Sequence, residues 1–198
     1  MKKWLIPVLV IAVFAFGIFR WGVGINNEII EKEGLALAQW ANVESSYQRR
    51  ADLIPNLVAT VKGYAAHEKE TLESVINARS AATKPEIKLG DGALTPEMMA
   101  QFQKAQQSLS SALSRLLVTV EKYPDLKANQ NFLELQSQLE GTENRINVER
   151  NRFNGLAGAY NIFIQKFPTN LVAKFINKSG LGLFKSDPGS ENAPKVEF

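Results

Sequence analysis

The sequence predicts an all-α protein: an N-terminal transmembrane helix followed by an elongated antiparallel helical bundle of three long helices, the first kinked or broken near Pro55 and so countable as four. Three observations predict it. The interior of the chain is rich in Ala, Leu, Gln, Glu, Lys and Arg and poor in Gly and Pro, a mixture that favours helix. Apolar residues recur at helical spacings over long stretches. Residues Trp4 to Phe19 form a run of 16 without a charge. At 198 residues the chain has room for one domain with a real core and is short for two.

The elements follow in order. Trp4 to Ile25 is 22 residues long with Arg20 as its one charge, enough to cross a bilayer, and Trp4 and Trp21 stand where indoles favour the headgroup level. A cleaved signal peptide is the competing reading, with Gly22-Val23-Gly24 as a small-x-small site, but Phe19-Arg20-Trp21 is a bulky, charged approach to it, so a retained anchor is expected. Lys2 and Lys3 before the anchor favour the N-terminus inside and the domain on the non-cytoplasmic side. From Ile29 through Trp40, Val43, Tyr47, Ile54, Leu57, Val61, Tyr64, Leu72, Val75 and Ile76 one apolar face runs on, and Pro55 should kink or restart the helix there, with Asp52 as a cap. Lys84 to Thr95 reads as a loop. Thr95-Pro96 opens a second helix that carries Met98, Phe102, Leu109, Leu113, Leu116 and Val120 and stops at Tyr123-Pro124. A third starts at Asp125 and runs to Pro168 with Phe132, Leu139, Ile146, Phe153, Tyr160, Phe163 and Phe167 on its face. The short break at Pro124 implies antiparallel neighbours. Asn170 to Lys178 can form one more short helix, and from Ser179 the chain reads as an irregular tail, on the surface or disordered. The expected organisation is an anchor over 1–25, a bundle over 26–178 and a tail over 179–198.

The net charge of +3 does not point to nucleic acid. Without Lys2, Lys3 and Arg20, twenty basic residues face twenty acidic ones, and a neutral domain lacks the footprint of a phosphate binder. With no cysteine, disulfides, thiolate zinc sites and cysteine nucleophiles are excluded. His67 is the single histidine, so neither an HExxH zinc site nor the paired Glu-x-x-His of a di-metal bundle can be assembled, and a solvated helical histidine is expected. The sequence has neither a GxxxxGK[ST] nor a GxGxxG phosphate loop. No cofactor and no catalytic residue is expected.

The polar residues that stand out are Arg49, Arg50 and Asp52 on the first helix and Glu143, Asn144, Arg145, Asn147 and Arg150 on the third, followed by Asn154 and Asn161. Phe153-Asn154 and Tyr160-Asn161 repeat an aromatic-Asn pair at heptad spacing, which puts both on one stripe. If that stripe faces inward these groups need partners, because an unpaired buried polar group costs roughly 1–3 kcal/mol. They form either an internal network that fixes helix register or a groove for a partner, with register preferred. Arg49, Arg50 and Asp52 are expected to reach toward Glu143 to Arg150.

The stretches Arg49-Arg50-Ala51-Asp52-Leu53-Ile54-Pro55-Asn56-Leu57-Val58, Val61-Lys62-Gly63-Tyr64-Ala65 and His67-Glu68-Lys69 resemble the signature of the LemA family. So do Glu121-Lys122-Tyr123-Pro124-Asp125-Leu126-Lys127-Ala128, Leu139-Glu140-Gly141-Thr142-Glu143-Asn144-Arg145-Ile146, Phe167-Pro168 and the closing Pro194-Lys195-Val196-Glu197-Phe198. The resemblance covers about 26–198 and implies a bacterial protein with a transmembrane segment and a helical-bundle domain. It implies no enzymatic activity. Some family genes lie near membrane-protease genes, which implies an envelope setting. Phe153 stands where the family pattern has tyrosine, and Leu183-Phe184-Lys185 replaces a more aromatic, acidic stretch. The expectation is a membrane-anchored, non-enzymatic envelope protein that binds a protein partner or acts as a scaffold. A self-assembling homo-oligomer is the alternative, and a carboxylate-based metal-dependent hydrolase is a third.

Overall fold

The computed structural model describes residues 4–84 and 94–186. Six helices form among the described residues: α1 (Leu5–Tyr64), α2 (Lys69–Thr83), α3 (Pro96–Val120), α4 (Pro124–Lys127), α5 (Gln130–Gln165) and α6 (Thr169–Phe175). Most of the expected Lys84–Thr95 loop, the tail beyond Ser186 and Lys2 and Lys3 lie outside the described residues.

The 60 residues of α1 make one helix, about 90 Å long at 1.5 Å per residue. Its first turns, Trp4 to Trp21, are exposed on all sides, and its buried face begins at Ile29. The helix does not restart at Pro55 but runs through it. The reason is a neighbour. Proline has no N–H for the carbonyl one turn back, at Ala51, and Arg79 of α2 donates its Nε–H to that carbonyl at 2.7 Å. Asp52 is no cap; it is exposed and accepts from Gln48 Nε2 at 2.8 Å. The chain turns instead at Ala65–Glu68, which places His67 in an exposed turn, and α2 descends along α1.

Helix α3 starts where its cap and N1 proline put it, with Thr95 Oγ1 accepting from Met98 N at 3.2 Å. It climbs beside α2. The single long helix expected from Asp125 is two: α4 is one turn, and Asn129 caps α5 by accepting from Phe132 N at 3.1 Å. Helix α5 then descends antiparallel along α1, and α6 lies beside the lower part of α1. The last described stretch, Ser179–Ser186, is irregular as expected. It is not a surface tail: Leu181 and Phe184 are buried in the bundle.

Two apolar clusters fill the interior. The lower one joins Ile29, Trp40, Tyr47, Met99, Phe102, Ile146, Phe153, Tyr160, Leu181 and Phe184. The upper one joins Ile54, Leu57, Val61, Leu72, Val75, Leu109, Leu116, Leu126 and Phe132. Between Tyr47 and Ile54 on α1, between Phe102 and Leu109 on α3, and between Leu139 and Ile146 on α5, the large side chains that face inward are polar, with Ala51 the one buried apolar residue among them.

Candidate functional site

That polar layer is built around Arg50, which is 2% exposed. Its Nη1 donates to Glu143 Oε2 at 2.7 Å and to Ser110 Oγ at 2.9 Å, and its Nη2 donates to Gln106 Oε1 at 2.7 Å. Gln106 in turn donates Nε2 to the Ala82 carbonyl at 3.0 Å. The guanidinium also lies over the Tyr47 ring, 5.2 Å from its centroid. One arginine thus ties α1 to α3 and α5, and through Gln106 to the end of α2. Only its buried Nε lacks a hydrogen-bond partner. The expected reach of the first helix to Glu143 is therefore made by Arg50 alone. Arg49 is exposed, as are Asn144, Arg145 and Asn147 on the outer face of α5.

Asn154 and Asn161 face inward and do something sequence reasoning missed. Each brackets one residue of the C-terminal segment with both ends of its amide. Asn154 Nδ2 donates to the Phe184 carbonyl at 2.9 Å and its Oδ1 accepts from Phe184 N at 2.9 Å. Asn161 does the same to Leu181, at 2.8 and 2.7 Å. Gln103 of α3 closes a third bracket on Lys185, and Arg150 adds a bond to the same carbonyl at 3.2 Å while its guanidinium covers the Phe184 ring. Tyr160 donates its hydroxyl to the Ser179 carbonyl. Residues 179–185 form a strap that climbs back along α5. The heptad spacing is the signal that could have found it. Seven helical residues rise about 10.5 Å, the length of about three extended residues, so two asparagines a heptad apart match backbone amides three residues apart.

The strap carries apolar groups into the lower cluster. Phe184 stacks on Trp40 at 5.8 Å between centroids and meets Phe153 edge-on at 5.8 Å. At the position where the family resemblance has tyrosine, Phe153 is fully buried among these rings. Gly182 donates its N–H to the Leu94 carbonyl at 2.7 Å, and a Cβ there would stand 2.8 Å from the Thr95 carbonyl oxygen and 2.9 Å from Pro96 Cα. The site thus admits only glycine.

Two hollows flank the polar layer. One, about 290 Å³, is lined by Glu44, Tyr47, Gln48, Ala51, Ala82, Thr83, Phe102 and Gln106. Burial raises the Glu44 carboxyl above its ordinary value, and the indole of Trp40 pulls it partway back. The Trp40 Nε1–H forms no well-made hydrogen bond. The other hollow, beside Arg50 and Glu143, is about 50 Å³. At the far end Tyr123 donates to Glu68 Oε1 at 3.0 Å, and that bond raises the tyrosine pKa. Among the described residues no three His, Asp or Glu side chains are grouped as a metal site requires. Chemically, the arrangement holds helices and a strap in register.

An antiparallel helical bundle, locked by internal polar bonds and led by a helix with one end long and apolar enough to cross a membrane, is the class that these features define. The chain belongs to the LemA family, whose sequence model matches residues 39–198. That match begins inside α1, beyond its apolar end. Among curated proteins the chain is 24% identical to Protein LemA of Metamycoplasma hominis over 175 residues, 88% of this chain and 75% of that one. It is 26% identical to Magnetosome protein MamQ of Magnetospirillum gryphiswaldense over 175 residues, 79% of this chain. It is also 26% identical to Magnetosome protein MamQ 2 of Paramagnetospirillum magneticum over 173 residues, 78% of this chain. The match spans 63% and 62% of those two magnetosome proteins, a little under two thirds of their length. Family and relatives accord with a membrane-associated protein, and none of their names is that of an enzyme.

Proposed function

We propose that this protein is a membrane-anchored, non-enzymatic module of the bacterial envelope whose bundle binds a protein partner or serves as a scaffold. The observation that carries this reading is the use to which the inward-facing polar side chains are put. Arg50, Asn154 and Asn161 spend their hydrogen bonds on the chain itself. Catalysis instead needs a group held ready for a substrate. We read the apolar, exposed start of α1 as a single-pass anchor, and the positive charges of Lys2 and Lys3 before it favour the bundle on the non-cytoplasmic side. What is left for function is the outer surface, where Arg49, Asn144 and Arg145 are exposed. Self-assembly through that surface is the second reading, supported by the same exposure.

Crosslinking the full-length protein in its native membrane and isolating the adducts tests this. A reproducible adduct with one envelope or membrane protein supports the binding reading. Adducts at multiples of the protein's own mass replace it with self-assembly. Labelling of single engineered cysteines, in a chain with no native cysteine, decides the side of the membrane.

A further inference from the structure

The corner between α5 and α6 leaves a stripe of large apolar side chains uncovered. Phe167, Leu171 and Phe175 are 79%, 58% and 91% exposed. Leu171 and Phe175, four residues apart, lie along one side of α6, with Phe167 in the turn just before it, while Thr169 and Ala173 are buried against the body of the protein. Among the described residues no other part of the bundle carries such a row. Aromatic side chains held this far out in water gain nothing from folding, so the stripe calls for a covering.

Its position says what covers it. Phe167, Pro168 and Leu171 face Leu9, Val13, Phe14, Ile18 and Trp21 of α1 across an open hollow of about 770 Å³. A second, of about 410 Å³, lies between Phe19 and Val23 of α1 and Leu171, Phe175 and Ile176. Both are lined almost wholly by apolar groups. Phe167 and Leu171 therefore sit alongside residues that precede Trp21 in the chain, and Phe175 sits beside the turn of α1 that follows Trp21. If that segment spans the bilayer with Trp21 at the headgroup level, the corner is below that level, inside the leaflet. Charge agrees. From Arg150 to Ser186 the chain has no Asp or Glu. Lys166 and Lys174 flank the stripe and are exposed, and Arg20 is exposed on α1. The acidic residues of the facing part of α1 are Glu28, Glu31 and Glu33; Glu28 pairs with Lys32 and Glu33 with Lys178.

We infer that the α5–α6 corner is a second membrane contact. Phe167, Leu171 and Phe175 enter the same leaflet as the anchor, acyl chains fill the two hollows, and Lys166 and Lys174 meet anionic headgroups. The bundle is then held to the bilayer at two points and cannot swing freely about α1. This rests on the reading of α1 as a retained anchor.

The test uses the full chain in vesicles of mixed zwitterionic and anionic phospholipid, some bearing a quencher on the acyl chain. Single cysteines are placed at Val13, Leu171, Phe175 and, as a distal control, Asp125, and each is labelled with an environment-sensitive fluorophore. The expected result is blue-shifted, lipid-quenched emission at Leu171→Cys and Phe175→Cys as at Val13→Cys, with Asp125→Cys unshifted. Replacing Lys166 and Lys174 by glutamine lowers the ratio of inserted to free corner by about fivefold per lysine in anionic vesicles. Quenching at Val13→Cys alone overturns the second contact and leaves the anchor standing. A blue shift at Leu171→Cys without lipid quenching overturns it in favour of contact with another protein copy. No quenching at Val13→Cys overturns the anchor and this inference together.

Discussion

Pro55 lies in the last third of a 60-residue helix that does not break there, and Arg79 is what keeps the helix whole. The Ala51 carbonyl, which would accept from residue 55 in an ordinary helix, is buried and accepts from Arg79 Nε at 2.7 Å. Arg79→Ala leaves this carbonyl without a donor, at a cost of about 1–3 kcal/mol. The same substitution also removes packing of the arginine stem, so a single variant does not isolate the bond. Pro55→Ala does. It restores an N–H that can bond Ala51, and in that background Arg79→Ala should cost at least about 1 kcal/mol less. The assay is a double-mutant cycle on the detergent-solubilised full chain, with urea unfolding followed by far-ultraviolet circular dichroism. Equal cost of Arg79→Ala in both backgrounds would show that Arg79 does not stand in for the N–H that Pro55 lacks.

Three further outcomes follow from the same geometry. Arg50→Ala should lower stability by about 2–4 kcal/mol, because it empties the space of a buried stem and leaves the buried Gln106 Oε1 without its donor. Glu143→Gln should cost only about 1 kcal/mol, since Glu143 is partly exposed and Arg50 keeps Gln106 and Ser110; equal losses in urea unfolding would show that Arg50 is not the hub. Asn161→Ala and Gly182→Ala should each loosen the strap, the second because its Cβ meets backbone at 2.8 Å, and both should speed tryptic cleavage at Lys185 well before the helices unfold. Burial, with Glu33 nearby, pushes the Tyr160 phenol up to about 12. The unfolded chain ionises first, near about 10. Stability tied to the neutral phenol is thus fully present below about pH 10 and is lost as pH rises toward about 12. Tyr160→Phe should flatten that alkaline decline in the urea midpoint.

The helices were legible because their signals are local. The cap at Thr95, the proline after it and the apolar period of α3 each act within one or two turns, and the structure follows them. The contact between Arg50 and Glu143 was legible too, since antiparallel neighbours bring the middle of one helix to the middle of the other. What escaped were effects that depend on a distant chain segment. Pro55 reads as a break until Arg79 arrives from another helix to satisfy Ala51. Leu181 and Phe184 sit in a Gly-rich, patternless stretch, and only the asparagines at 154 and 161 reveal that it is held. The same blindness misplaced Phe167. Its spacing fits the inner face of α5, yet the chain has already turned there and exposes it.

On the proposed function, the bundle keeps its polar interior for its own architecture and works from the membrane through its surface. Photo-crosslinkers placed at the exposed positions Arg49, Asn144 and Arg145 of the full-length protein, activated in intact cells, probe that surface. The expected result is a discrete adduct with the same membrane or envelope protein in repeated experiments, formed also by the Tyr160→Phe variant, whose change is internal. Absence of any reproducible adduct from all three positions, with the protein shown to be present in the membrane, would contradict it.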